Sequence, residues 1–267
     1  MAIQKITTEE FLQLAKQHPV FDVRSPGEYI HAHIPGAISL PLFTDEERKI
    51  VGTAYKQKSK QAAIKLGLDF FGVKMKAMVE TVESFLVSRF PASQYGQQET
   101  RNVLVHCWRG GMRSAGVAWL LDLYGFKVYT LVGGYKAYRK WVLAQFEKEY
   151  NFKIIGGYTG SGKTLVLHEL SKQHSAIDLE ALAHHKGSAF GALGELPQPK
   201  QEMFENLLGS TLFSTTKSNA KAILWIEDES QRIGDVMIPV DFWKKMRNSR
   251  IFFLHIPFEE RLNFLVQ

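Results

Sequence analysis

The chain carries a single cysteine, Cys107, and its neighbours give it chemistry. An apolar run, NVLVH, leads into it, and a helical pattern opens a few residues later at Met112. Between them lie Trp108, Arg109, Gly110 and Gly111, with Arg113 just inside the helix. Two glycines let such a loop turn its N–H groups toward one spot at a helix N-terminus, where the helix dipole adds positive potential. A thiolate there is stabilised and acts as a nucleophile, and Arg109 and Arg113 suit an anion beside the sulfur. The alternative for a lone cysteine is a buried structural role. The Gly-Gly pair, the arginines and the strand-to-helix position favour catalysis.

A second constellation is GYTGSGKT at 157–164, which fits the pattern G-x-x-x-x-G-K-[ST] at every specified position. It follows the apolar run FKII and opens a helical pattern, the context that a phosphate-binding loop requires. Gly157, Gly160, Ser161 and Gly162 let backbone N–H groups close on phosphate oxygens. Lys163 adds a point charge, and Thr164 would bind a phosphate oxygen, or Mg²⁺ if that ion is present. Glu227, Asp228 and Glu229 end the apolar run AILWI, where an acid handles metal-bound water or orients a nucleophile. Alternate residues face opposite ways along a strand, so the sequence does not choose among the three. Asp178 is a further acidic candidate. Lys186 and Ser188 lie in a Gly-rich stretch suited to closing over a substrate, and Arg232 follows the acids. No set of residues has certain metal-ligand spacing. His184 and His185 read as surface loop.

These groups need a scaffold. Short apolar runs at 19–24, 37–42, 102–107 and 127–134 alternate with helical patterns at 7–17, 44–72, 75–90, 112–125 and after 134. The 44–72 run has breaks at Gly52 and Gly67, and 91–101 reads as a loop. A second series starts at 151–157 and continues with a helix at 163–173, strands at 176–180, 220–230 and 251–257, and helices between them. Alternating strands and helices imply α/β architecture with parallel sheets covered on both faces. The boundary falls near residue 150, giving domains at 1–148 and 149–267. Four strands are lean for a nucleotide-type domain, and the chain stops within a helical pattern, so it reads as truncated.

Charge and composition narrow the class. Residues 1–150 carry 20 basic and 14 acidic side chains, while residues 151–267 carry 13 of each. Eight bases and one acid, Asp69, fall within 48–76. Such an excess favours a polyanion through counterion release, although many charge runs are simply solvated helix surface. Lys56, Lys58, Lys60 and Lys65 are the nucleic-acid contact candidates. One cysteine excludes an intrachain disulfide, and no stretch has the ~20 apolar residues of a membrane span. The acidic N-terminal segment does not resemble a signal peptide. A cytoplasmic protein with no membrane partner is expected.

FDVRSPGEYIHAHIPGAISLP, the loop CWRGGMRS and LVGGYKAYRKW together resemble the rhodanese family. In that resemblance Asp22, Arg24 and Glu28 are ion pairs holding the loop, and His33 and His106 are scaffold. The helical insertion at 44–90 departs from single-domain rhodaneses. A rhodanese-like domain followed at once by a P-loop domain is similar to the tRNA 2-selenouridine synthase family. ERKIVGTAYKQKSKQAAIKLG, GGYTGSGKT, DLEALAHHKGSAFG, FENLL and WIEDESQRIG carry that similarity. Members are longer at the C-terminus. The resemblance implies an enzyme that acts on wobble 2-thiouridine in the anticodon loop of tRNA. Geranyl diphosphate would S-geranylate the base, and selenium from selenophosphate would then replace the geranylthio group. Cys107 would carry the selenium, and the P-loop would hold the diphosphate. No tightly bound cofactor is implied, Mg²⁺ is an option, a selenophosphate-producing enzyme would be the selenium source, and a monomer is expected. Tyr55, Phe70 and Phe71 would stack on a base, line a groove for the geranyl chain, or simply pack the core. A plain sulfurtransferase fused to an ATP-dependent kinase or NTPase stays open, as does a catalytically silent binding module.

Overall fold

The computed structural model describes residues 3–89, 101–187, 191–216 and 223–266. Most of the expected loop at 91–101, and Ser188, lie outside the described residues. The fold is α/β, and the chain divides into two compact units, Met1–Trp141 and Val142–Gln267. The division falls inside a helix, ahead of the boundary near residue 150 read from the sequence.

The first unit is built on five parallel strands: β1 (Gln4–Ile6), β2 (Val20–Asp22), β3 (Ile38–Ser39), β4 (Asn102–His106) and β5 (Lys127–Leu131). Their order is β1-β5-β4-β2-β3, so β4 lies at the centre. Val103, Leu104 and Val105 are fully buried, as residues of a strand covered on both faces must be. Helices α1 (Thr8–Leu14), α2 (Pro26–His31), α3 (Asp45–Gln57), α4 (Lys60–Gly72), α5 (Met75–Arg89), α6 (Met112–Tyr124) and the part of α7 (Gly134–Glu147) up to Trp141 complete it. The core joins Phe21, Val105, Val117 and Leu121 to Met78 and Val82 of α5, so the insertion packs into the domain.

The insertion is helical, but its break is at Lys58–Ser59, not at Gly52 or Gly67. Ser59 Oγ accepts the Ala62 N–H at 3.0 Å and starts α4. Gly52 and Gly67 lie within helices; at Gly67 a Cβ would come within 3.3 Å of Phe43, which explains the small residue there. The short strand β1, pairing with β5, was not read from the sequence.

The second unit has the parallel order β11-β6-β8-β7, from β6 (Asn151–Gly157), β7 (Ser175–Ile177), β8 (Ile223–Glu227) and β11 (Arg250–Leu254). Around them stand α8 (Lys163–Ser171), α9 (Leu179–Ala183), α10 (Gln201–Thr216), α11 (Val240–Arg247) and α12 (Phe258–Val266). A two-stranded antiparallel pair, β9 (Arg232–Ile233) and β10 (Val236–Met237), was not anticipated. Residues 176–180 were expected to be a strand, but β7 ends at Ile177. Asp178 accepts the Ala181 N–H at 2.8 Å and caps α9 instead. Among the described residues no helix is long and apolar enough to cross a membrane.

Candidate active sites

In the first unit, Cys107 sits at the C-terminal end of the central strand, where open parallel sheets place their sites. It is buried, with Sγ 3.2 Å from Ser114 Oγ. The Ser114 hydroxyl also donates to Gly111 O at 3.1 Å. It has one proton, so donating to a thiolate would release that carbonyl.

The loop is held from behind. Tyr135 N–H and Lys136 N–H donate to Cys107 O and Trp108 O at 2.9 and 3.0 Å. In trans peptides the N–H points opposite to the C=O, so Trp108 N–H and Arg109 N–H face away from α7. This closeness requires glycine. A Cβ at Gly134, where φ is +60°, would lie 2.4 Å from both Cys107 O and Gly110 N. Gly110, with φ +64°, abuts Leu131 O in the same way.

From the front, Glu28 grips the loop. Arg113 Nη1 donates to Glu28 Oε2 at 2.7 Å, and Arg48 Nε lies 2.9 Å from the same oxygen. Burial opposes ionisation of Glu28, but Arg113, the Ser25 N–H and Arg48 outweigh it and hold its carboxyl down at about 2. Arg24 pairs with Asp22 at 2.6 Å, donates to Ala32 O at 2.7 Å and lies over the Tyr135 ring. The expected mutual pairing of Asp22, Arg24 and Glu28 is therefore two separate systems, because Glu28 reaches across to α6 rather than to Arg24. Arg109, Trp108 and Met112 are exposed beside Cys107. His106 is fully buried, and burial pushes it down to about 4, so it is neutral at neutral pH. His33 Nδ1 meets Tyr29 O at 2.9 Å, and its ring stacks on Tyr29, both scaffold contacts.

A cavity of about 1080 Å³ opens beside Cys107 between α3, α4 and α6. Tyr55, Ile64, Leu68, Phe71 and Trp119 give it an apolar wall, and Lys49, Lys56 and Arg109 also line it. Of the aromatic candidates, Phe70 instead makes an edge contact with Phe43. Lys56, Lys58, Lys60 and Lys65 are exposed along α3, the turn after it and α4.

In the second unit, β6 and β8 pair so that Ile155 lies opposite Glu227. That register sets the P-loop against the acids, with Thr164 Oγ1 donating to Glu227 Oε2 at 3.2 Å. Gly160 and Gly162 have φ of +78° and +76°, conformations that favour glycine. Lys163 Nζ donates to Gly157 O at 3.2 Å, across its own loop. Ser161 Oγ and Glu227 Oε1 are buried without a hydrogen-bond partner. Burial and the neighbouring Asp178, Glu180 and Glu229 raise Glu227 to about 8. Burial and Glu180 raise Glu229 to about 7.

One carboxylate oxygen from each of Glu180, Glu227 and Glu229 lies within 4.8 Å of the others. Hard oxygen donors, an orphan carboxylate oxygen and the Thr164 hydroxyl fit Mg²⁺. Asp228 points the other way and pairs with Arg247. Asp178 caps α9 and meets His168 Nε2 at 2.9 Å, acting on the cluster through charge alone. Gly187 touches the cluster, since a Cβ there would lie 2.5 Å from Glu180 Oε1. Lys186, beside it, pairs with Glu195 at 3.1 Å. Arg232 donates from Nε to Gly234 O at 2.7 Å within the β9–β10 turn. Sequence reading missed Glu180 and Ser114, whereas the groove it offered for Tyr55, Phe70 and Phe71 corresponds to a cavity that Tyr55 and Phe71 line and Phe70 does not. Glu180's signal was its place two residues beyond Asp178 within DLEALA.

Residues 7–140 match the rhodanese-like domain model, and residues 150–267 match that of the tRNA 2-selenouridine synthase AAA domain. The tRNA 2-selenouridine synthase of Nitrosomonas europaea is 38% identical over 92% of this chain and 62% of its own length. That of Shewanella piezotolerans is 36% identical over 100% of this chain and 70% of its own. That of Bdellovibrio bacteriovorus is 37% identical over 98% and 68%. The chain thus spans about 62% of the length of the Nitrosomonas europaea relative. A thiol loop at the C-terminal end of β4 and a phosphate loop at the C-terminal end of β6, matched along the chain by such relatives, place it in the tRNA 2-selenouridine synthase family.

Proposed function

We propose that the chain is a transferase that converts wobble 2-thiouridine in tRNA to 2-selenouridine through an S-geranyl intermediate. A thiocarbonyl sulfur is a poor leaving group, whereas an S-alkylated one departs as a thiolate. In the first step the sulfur attacks C1 of geranyl diphosphate, diphosphate leaves with the C–O electron pair, and the base loses its N3 proton. The P-loop N–H groups and Lys163 hold the diphosphate and stabilise its growing charge. Thr164, Glu227 and Glu229 would hold Mg²⁺, which supplies further charge neutralisation on the phosphates.

Selenium in selenophosphate is already at the selenide level, so a perselenide on Cys107 would need an oxidant, and the second step runs as two displacements at C2 instead. The Cys107 thiolate attacks C2 of the S-geranyl base, and geranylthiolate leaves with the C–S pair. The selenium of selenophosphate then attacks C2, and the Cys107 thiolate leaves with its electron pair. Water attacks phosphorus, the P–Se electron pair passes to selenium, and phosphate departs, freeing the selenouridine. The lysines of the insertion hold the tRNA, a selenophosphate-producing enzyme feeds the reaction, and the setting is cytoplasmic with the protein acting as a monomer.

The observation that carries this reading is the nucleophile's surroundings. Cys107 stands at a large apolar cavity lined also by Lys49, Lys56 and Arg109. A small inorganic sulfur donor needs neither an apolar wall nor such a basic approach. The test is incubation with an anticodon stem-loop RNA bearing wobble 2-thiouridine, geranyl diphosphate, selenophosphate and a thiol, followed by nucleoside mass spectrometry. S-geranyl-2-thiouridine without selenophosphate, and 2-selenouridine with it, are expected. Nucleotide hydrolysis indifferent to RNA, with no change in nucleoside mass, would favour the sulfurtransferase–NTPase reading.

A further inference from the structure

The pattern G-x-x-x-x-G-K-[ST] leaves position 160 free, yet the second unit demands glycine there. Gly160 has φ of +78°, and a Cβ on it would lie 2.7 Å from Arg261 O and 3.0 Å from the Leu265 side chain. Helix α12 therefore presses on the P-loop at this residue. The contact falls on a tight turn. Ser161 N–H donates to Tyr158 O at 3.0 Å, so Tyr158–Ser161 form a β-turn with Thr159 and Gly160 at its centre. Positive φ at the third residue belongs to the type II turn, whereas the type I turn has negative φ there and its central peptide turned over. Glycine enters both signs of φ about equally, so Gly160 does not itself decide which way the Thr159–Gly160 peptide faces.

Arg261 decides it. Its Nη1 donates to Thr159 O at 3.1 Å, and its Nε donates to Ile256 O at 3.3 Å. The guanidinium lies 5.0 Å from the Tyr158 ring centroid and 5.5 Å from that of Phe258, so two rings keep it in place. In a trans peptide the N–H points opposite to the C=O. With Thr159 O turned toward α12, Gly160 N–H is turned away from that helix.

We infer that Arg261 is a positioning residue for the diphosphate: by holding the Thr159 carbonyl against α12, it aims the Gly160 N–H into the phosphate cradle. This role rests on the reading of the P-loop as the diphosphate site and adds what sets the shape of that loop. Without Arg261 the central peptide is free to turn over, which puts a carbonyl oxygen where the N–H was and repels an anion. Arg261 acts through one peptide plane rather than by touching phosphate.

The test uses inorganic diphosphate as the probe, with Mg²⁺ present, on the whole chain. Arg261→Met removes the donor and the charge, and Arg261→Lys keeps both a donor and the charge. Thermal melts show whether each variant is folded. Affinity is read by isothermal titration calorimetry. The Gly160 amide is read by NMR on chains labelled with nitrogen-15 glycine, its signal identified by its loss in Gly160→Ala. Arg261→Met should bind diphosphate about tenfold more weakly, and Arg261→Lys should recover most of that loss. In the wild-type chain the Gly160 amide proton should move downfield as diphosphate binds. In Arg261→Met it should stay in place, a signature that a merely structural role would not produce.

A folded Arg261→Met that binds diphosphate as tightly as the wild-type chain would overturn the inference. So would weaker binding with the Gly160 shift intact, which would reduce Arg261 to a distant charge. Recovery in Arg261→Lys without return of the Gly160 shift would do the same. If the wild-type chain binds no diphosphate, the reading of the P-loop fails and the role of Arg261 with it. If it binds and both variants match it, the role of Arg261 alone fails.

Discussion

At Cys107 a buried sulfur, the Ser114 hydroxyl and loop N–H groups turned away from α7 lie within one short segment. Replacing Cys107 with Ala removes the nucleophile that displaces geranylthiolate and leaves the second unit's chemistry untouched. Selenation should therefore stop while S-geranyl-2-thiouridine accumulates, read by nucleoside mass spectrometry. Lys163→Ala is the converse. It removes a charge that meets the leaving diphosphate, so geranylation should fall about a hundredfold or more, with selenation of pre-geranylated RNA spared. Glu28 allows a prediction about stability. Its folded-state value is about 2, below the ordinary 4.5, so its contribution is present above pH 4.5 and is lost as pH falls toward 2. Glu28→Gln should cost about 1–3 kcal/mol at pH 7 in urea unfolding, and the gap from wild type should close on acidification. An unchanged gap at low pH would mean that the Glu28–Arg113 pair does not bind the loop.

At the scale of elements, the helix and strand ends decide what the side chains can reach. The β6–β8 register carries Thr164 to Glu227, and strand alternation turns Asp228 away. The acids that remain repel one another. Glu227 is raised to about 8, so its contribution to the stability of the metal-free second unit is fully present below pH 4.5 and is lost as pH rises through 8. In chelator at pH 8, Glu227→Gln should raise the Tm by roughly 4 °C, and Mg²⁺ should stabilise the wild-type chain but not the variant. A differential scan in both buffers checks both outcomes. These elements differ in how far the sequence reveals them. The Cys107 loop and the P-loop were legible because each is a local segment whose glycines, charge and flanking patterns stand together. Ser59, not a glycine, breaks the insertion, because a cap hydroxyl ends one helix and starts the next where glycine merely loosens one. The Glu28–Arg113 bond joins residues 85 apart, and no local pattern encodes such a pairing. The cavity depends on how three helices pack; the sequence offered Tyr55 and Phe71 for a groove, but the walls from α6 that complete it come only with the fold.

At the scale of the molecule, the excess charge lies in residues 1–150, and the structure sorts it further. Of the eight bases at 48–76, Arg48 pairs with Glu28, Lys74 with Glu47 and Lys76 with Glu80. Lys56, Lys58, Lys60 and Lys65 are exposed on the same helical insertion that walls the cavity. A cluster of this kind binds phosphates chiefly by releasing condensed counterions, so its contribution appears as a salt slope rather than as base preference. The wild-type chain should bind a tRNA with a steep fall of log K against log salt. Replacing the four lysines with Gln should flatten that slope by about 3, weakening tRNAs of different sequence alike. Thermal stability should stay near wild type, because exposed lysines contribute little to folding. Were the slope unchanged, tRNA would be held by another surface and these lysines would be solvated helix charge.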